Sequence, residues 1–188
     1  MQKLNMFWVM DCSGSVHTNG GIQAANNMIR ECIPCLRETL IAKESTNILV
    51  RALKFSSDAS WHIEDPVPLN ILSWTDIESA DGNDSDLGNA LKLIIVALEQ
   101  LSHDELPPLI VLISDGFFTD AYETALADLL GCERGKDAIR LAVSVGEEID
   151  RDTLSAFIGR PNFPVLQTNQ PEQLAQYALY SFTAKDEW

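Results

Sequence analysis

The five residues Leu109-Ile110-Val111-Leu112-Ile113 are apolar without interruption and stop abruptly at Ser114-Asp115-Gly116. A run that is apolar at both odd and even positions has no polar face to turn to water. As a strand it has to lie in the middle of a sheet that is covered on both sides. That confines the chain to a layered architecture, with helices above and below a mostly parallel sheet. Phe7-Trp8-Val9-Met10 repeats the pattern, ending at Asp11 and the small polar stretch Cys12-Ser13-Gly14-Ser15.

The segments between these runs supply the covering layers. From 22 to 40 the residues Ile22, Ala25, Ile29, Ile33, Leu36 and Leu40 fall three or four apart, the period of an amphipathic helix. Residues 47–55 and 59–63 predict two strands around Ser56-Ser57-Asp58, a hairpin at the sheet edge. Residues 64–86 hold two prolines, a glycine and seven acidic residues with no sustained period, which predicts a long loop. Helical periodicity resumes over 87–101 and again over 121–130, closed by Gly131. A strand over 139–145, a helix over 152–158 with Asp150 as its cap, a short strand over 164–166 and a helix over 170–182 complete the chain. The expected fold is therefore α/β and doubly wound: a mostly parallel central sheet with helices on both faces and one antiparallel edge strand. Residues 1–183 are expected to form a single domain and 184–188 a short tail. In such sheets the ligand lies beyond the carboxyl ends of the strands, where the first strand neighbours the fourth.

Composition narrows the function. The chain has 188 residues, 46% of them apolar, enough for one folded core and too apolar for disorder. Its 28 acidic against 13 basic residues leave a charge of −15, a field that repels phosphate backbones and anionic membrane surfaces. No apolar run approaches the roughly 20 residues of a bilayer span, and residues 1–10 lack the build of a signal peptide, so the expected location is cytoplasmic. Four cysteines in a chain of this length do not make a disulfide scaffold. Cys32 and Cys35 form a C-x-x-C, but late in the 22–40 helix rather than at its start, which predicts small packed thiols near a Pro34 bend rather than a redox centre.

Asp11, Ser13 and Ser15 alternate in one loop, so a turn aims a carboxylate and two hydroxyls at one point. Asp115 ends the neighbouring central strand, and Ser85 precedes the 87–101 helix. These are hard oxygen donors, which suit Mg²⁺, with Mn²⁺ also possible. Taken singly, each is an ordinary turn former or helix cap.

Asp11-x-Ser13-x-Ser15, then Ser85 in a Gly-containing loop, then Ser114-Asp115-Gly116 together resemble the von Willebrand factor A family and its metal-ion-dependent adhesion site. Within that family, Leu87-Gly88-x-Ala90-Leu91 and Ser114-Asp115-Gly116-x-x-Thr119-Asp120 look like the bacterial tellurium-resistance TerY-type proteins. The resemblance implies a Rossmann-like fold and a Mg²⁺ site. Ser13 and Ser15 would be direct ligands, with Asp11, Ser85 and Asp115 bound directly or through water and an acidic side chain of a partner protein in the sixth position. It further implies a non-enzymatic protein-binding module in a tellurium-resistance or stress-response assembly; some relatives carry a cysteine-rich extension, and none is expected here. Three departures stand out: Ser85 where Thr is usual, Asn83-Asp84 where glycines are usual, and Phe118 where the subfamily has Pro.

Phe117, Phe118 and Trp74, with Leu72, are the candidates for an apolar rim that adds contact energy beside the metal. With no cation between them, Asp11 and Asp115 are expected to repel, so removing either should stabilise the metal-free protein. The other reading of the site is Mg²⁺-dependent phosphoryl transfer with Asp11 as nucleophile. Against it, Ser13 stands where such hydrolases commonly place a second Asp, and neither a P-loop nor G-x-S-x-G occurs. His17, the one histidine near the loop, is expected at the surface.

Overall fold

The computed structural model describes residues 2–18, 20–41, 46–79 and 82–183. The elements in chain order are β1 (Gln2–Asp11), α1 (Gly14–Thr18), α2 (Gly21–Ile41), β2 (Thr46–Phe55), β3 (Ala59–Pro68), α3 (Leu87–Leu98), β4 (Leu109–Ser114), α4 (Tyr122–Gly131), α5 (Glu133–Asp137), β5 (Ile139–Ser144), α6 (Arg151–Ile158), β6 (Leu166–Gln167) and α7 (Pro171–Thr183). The expected tail, 184–188, lies outside the described residues.

The strands form one sheet in the order β3-β2-β1-β4-β5-β6. All pairings are parallel except that of β3 with β2 at the edge. The expected α/β class, the antiparallel edge and the β1–β4 neighbourhood are all present. Every residue of β4 and β5 is buried, and β1 is buried from Leu4 onward, as continuous apolar runs require. The helices pack in two groups, α2 with α7 and α3 with α4 and α5, the two layers that parallel crossovers of one hand build on opposite faces of a sheet.

Several boundaries depart from the periodicity for identifiable reasons. β1 starts at Gln2 rather than Phe7: Asn5 is buried and donates from Nδ2 to Glu105 Oε2 at 2.6 Å, so a polar residue is satisfied within a central strand. β3 runs on through Glu64, Asp65 and Pro66 to Pro68, because an edge strand needs its outward amides for no ladder. The same charges and prolines hinder edge-to-edge pairing with another sheet. α1 and α5, five residues each, are too short to show a period. α2 passes through Pro34 as one helix; the proline is exposed, so the carbonyl it leaves without an amide partner can face water.

Of the expected long loop, the described residues 69–79 and 82–86 lie outside strands and helices, and 69–79 are clamped onto α2. Buried Asn26 donates from Nδ2 to Ile77 O at 2.8 Å, and its Oδ1 accepts from Ile77 N at 2.9 Å and Trp74 Nε1 at 3.0 Å. Arg30 grips Asp76 at 2.6 and 2.8 Å, and Arg37 donates to the carbonyls of Leu69 and Leu72. Asn26→Ala leaves three polar groups of this loop without partners. It is expected to lower unfolding free energy by about 2–3 kcal/mol, measured by urea denaturation, with the circular dichroism of the native state unchanged.

Candidate metal centre

The carboxyl ends of β1 and β4 carry two aspartates that are held in the same way. In each, one oxygen closes an Asx turn with its own loop: Ser13 N donates to Asp11 Oδ1 at 2.8 Å, and Phe117 N to Asp115 Oδ1 at 3.0 Å. The other oxygen faces the other loops. Asp11 Oδ2 accepts from Ser85 Oγ at 2.8 Å and from Ser114 Oγ at 2.6 Å, while Asp115 Oδ2 accepts from Ser15 Oγ at 2.6 Å. Ser13 Oγ lies 3.3 Å from Ser15 Oγ. Asp11, Ser13, Ser15, Ser85 and Asp115 are thus gathered into one connected set of oxygens drawn from three loops.

The backbone makes this possible. Gly116 adopts φ 90°, and a Cβ there would lie 2.6 Å from the carbonyl of Asp150, so the turn after β4 needs glycine. Asp150 N in turn donates to Asp115 O at 2.8 Å. The Ser13-to-Ser15 segment enters α1, and Gly14 N reaches Asn83 O at 3.2 Å, tying the first loop to the third motif. Asp84, one of the unexpected acidic residues beside Ser85, is turned to Ser57, whose Oγ donates to its carboxylate at 3.0 Å.

Asp11 is fully buried. Burial pushes its carboxyl above the usual carboxylate range, against the opposing pull of bonds from Ser114, Ser13 and Ser85. Among the described residues, neither Asp11 nor Asp115 takes part in an ion pair. Two carboxylates held without a basic partner and ringed by hydroxyls fit a divalent cation, which would supply the missing positive charge while the serine lone pairs turn to it. No three His, Cys, Asp or Glu side chains converge among the described residues, so the donor set is one of hard oxygens rather than thiolate or imidazole.

No family model and no curated protein matches the sequence. Solved structures do. Proximal thread matrix protein 1 from the mussel byssus matches 96% of this chain at 14% identity with a TM-score of 0.68, and the chain spans only 48% of that protein. The manganese-loaded TRAP protein of Plasmodium vivax matches 92% of this chain and 72% of its own, at 16% identity and a TM-score of 0.64. A von Willebrand factor type A structure from Catenulispora acidiphila matches 94% of this chain and 41% of its own, at 14% identity and a TM-score of 0.64. The chain has the von Willebrand factor A fold. The mussel protein has also been solved with zinc in its MIDAS motif.

Around the carboxyl end of this von Willebrand factor A sheet, the rim candidates separate. Phe117 is 49% exposed, next to Asp115. Phe118 turns inward, with ring centroids 6.4 Å from Phe55 and 4.9 Å from Tyr122, so it covers the sheet end. Trp74 lies tilted against His62 of β3, ring centroids 5.2 Å apart, and donates to Asn26 of α2, contacts that hold the clamped loop rather than reach the oxygen cluster. Leu72 is a core residue, and a rim role for it is corrected by its burial.

Sequence patterning overlooked Ser114, whose hydroxyl donates to Asp11 while accepting from Gly116 N at 2.9 Å. Its place beside Asp115 was the one available signal. His17 is exposed on α1, as expected. The four cysteines are unbridged. Burial pushes the Cys12 thiol up to about 12 and raises Cys32 further; Cys35 is raised by partial burial and by Glu172, Glu38 and Glu31. None of these three has the lowered pKa of a redox nucleophile.

Proposed function

We propose that the 1–183 unit is a metal-ion-dependent protein-binding module in which Asp11, Ser13, Ser15, Ser85 and Asp115 hold Mg²⁺ or Mn²⁺ and an Asp or Glu of a partner protein completes the coordination. The observation that carries this reading is the pairing of two inward-facing carboxylate oxygens with three serine hydroxyls, without a basic counter-ion. The manganese in the TRAP structure and the zinc in the mussel protein support it by likeness of fold. When bound, the cation supplies local positive charge in a protein of charge −15, so a partner carboxylate is accepted there in preference to elsewhere. The chain's own part is to orient the oxygens and, through Phe117, to offer an apolar contact beside them.

The surplus of acid favours a protein partner over nucleic acid. Among the described residues no helix is long and apolar enough to cross a membrane, and the unbridged thiols suit a reducing compartment, so we place the module in the cytoplasm. The strings Leu87-Gly88-x-Ala90-Leu91 and Ser114-Asp115-Gly116-x-x-Thr119-Asp120 support a TerY-type role in a tellurium-resistance or stress-response assembly. The phosphoryl-transfer reading is disfavoured by Asp11 itself: with no exposed surface it is out of reach of a substrate phosphorus, whereas as part of a metal site it needs only to reach the ion directly or through water.

A cation that binds only the folded state adds RT ln(1 + [L]/Kd), about 2.7 kcal/mol at a hundredfold excess over Kd. At about 2–4 °C per kcal/mol for a domain of this size, Mg²⁺ or Mn²⁺ should raise Tm by roughly 5–10 °C, reversibly with EDTA. Ser15→Ala, which alters one exposed ligand, should abolish most of the shift. An equal rise in both proteins would show only screening of the net charge. Capture of a partner from the source cell that is lost in EDTA and in Ser15→Ala then tests the binding half of the reading.

A further inference from the structure

Thr119 and Asp120 lie outside the five-oxygen cluster, yet they join the loop after β4 to the loop that carries Ser85. Thr119 N donates to Ser85 O at 2.9 Å, and Thr119 Oγ1 accepts from Ser85 N at 2.8 Å. Both main-chain polar groups of Ser85 therefore end on a single residue 34 positions away. The same hydroxyl donates its proton to Asp86 Oδ1 at 2.8 Å.

Asp86 is the residue that precedes α3, but it makes no side-chain cap bond to the helix. The cap comes instead from Asp120, whose Oδ2 accepts from Gly88 N at 2.7 Å in the first turn. A Cβ on Gly88 would lie 2.5 Å from that oxygen, so glycine here is a condition of the contact. The other oxygen of Asp120 is buried without a hydrogen-bond partner. That orphaned acceptor costs stability, so fold stability alone does not account for the carboxylate in this position.

We propose that Thr119 and Asp120 are positioning residues, a latch by which the loop after β4 sets the place of Ser85 relative to Asp11 and Asp115. The proposal rests on the metal-site reading above for its consequence, though not for its geometry. Ser85 lacks the γ-methyl that restricts a threonine's χ1 angle, so the aim of its hydroxyl depends on the bond to Asp11 and on how firmly its backbone is held. Mg²⁺ demands near-ideal octahedral geometry, and a ligand displaced by a fraction of an ångström is a poor one. Phe117 and Phe118 sit between Asp115 and Thr119, so the latch also joins the exposed aromatic to the loop that presents Ser85.

The test uses the full chain and two readouts: Mn²⁺ affinity by titration calorimetry, and hydrogen exchange of the Ser85 amide in EDTA. Thr119→Val removes the acceptor of the Ser85 amide with little change in volume; Thr119→Ser keeps it. The Val variant is expected to bind Mn²⁺ about 10–100-fold more weakly, the usual loss when an outer-shell partner is removed, and to exchange the Ser85 amide faster. The Ser variant is expected to match wild type in both. Gly88→Ala, which should favour helix α3 while evicting Asp120, is expected to weaken Mn²⁺ binding without loss of helix content, and it decides the matter if Thr119→Val does not fold. Wild-type affinity and wild-type Ser85 exchange in the Val variant, or equal losses in the Val and Ser variants, would overturn the latch. If wild type itself does not bind Mn²⁺, the metal reading falls, and Ser85 exchange in EDTA still decides the positioning role.

Discussion

Asp11→Ala is expected to lower the unfolding free energy of the metal-free protein by about 2–4 kcal/mol, and to remove all stabilisation by Mg²⁺ or Mn²⁺. The reasoning from charge alone has the opposite sign in EDTA, since two carboxylates with no cation between them repel. The geometry reverses it. Asp11 has no exposed surface and receives Ser13 N, Ser85 Oγ and Ser114 Oγ, so truncation strands three donors in a dry place. Its contact is with those donors rather than with Asp115, whose Oδ2 is taken by Ser15.

The size of the effect is held down by burial, which already penalises the ionised carboxylate and raises its pKa. A carboxyl that binds its proton more tightly in the folded state contributes stability at acid pH. That contribution is lost as pH rises from the unfolded carboxylate's pKa to the higher folded one. Asp11→Asn should therefore remove this pH dependence in EDTA and destabilise less than Ala, while still losing the metal response. Asp115→Ala, which strands Phe117 N and the exposed Ser15 hydroxyl, should cost only about 1 kcal/mol. The measurement is urea denaturation in EDTA across pH; an Asp11→Ala protein as stable as wild type, or more stable, would show that the hydrogen bonds contribute less than charge repulsion.

Much of the fold was legible because the central strands advertise themselves. Leu109 to Ile113 and Phe7 to Met10 have no polar face, and each ends at an aspartate, so their adjacency brings Asp11 and Asp115 to one crevice. Ser13, Ser15 and Ser85 follow because loops at that end of the sheet converge. What stayed hidden depends on partners far apart in sequence. Ser114 donates to Asp11 across 103 positions, and Thr119 serves Ser85 across 34; no local pattern carries either. The 69–79 segment looked like an unanchored loop because its anchors, Asn26, Arg30 and Arg37, lie in the preceding helix and read there as ordinary polar positions. Arg140 is the sharpest case: a charged residue inside buried β5, tolerated because Nε and Nη2 cap the carbonyls of Phe157 and Ile158 at 2.7 and 3.2 Å.

Phe117 and Phe118 are neighbours in sequence with opposite expected effects, and the contrast separates fold from interface. Phe118 packs edge-on against Tyr122 and tilts against Phe55, so Phe118→Ala removes a half-buried ring and an aromatic pair. The expected loss is about 2–3 kcal/mol of unfolding free energy. Phe117 has about half its surface in water and its backbone amide in the Asp115 turn, which alanine keeps. Phe117→Ala should leave stability within about 0.5 kcal/mol and metal affinity unchanged. Its effect should appear only when the partner binds. A metal–carboxylate bond has to overcome the desolvation of both ions, so adjacent apolar contact supplies much of the net affinity, and an aromatic anchor contributes about 1–3 kcal/mol. Denaturation of both variants and Mg²⁺-dependent partner capture are read side by side. Capture undiminished by Phe117→Ala, at wild-type stability, would place the interface on another side of the metal loops. A large loss of stability in Phe117→Ala would instead make its ring part of the core, against its exposure.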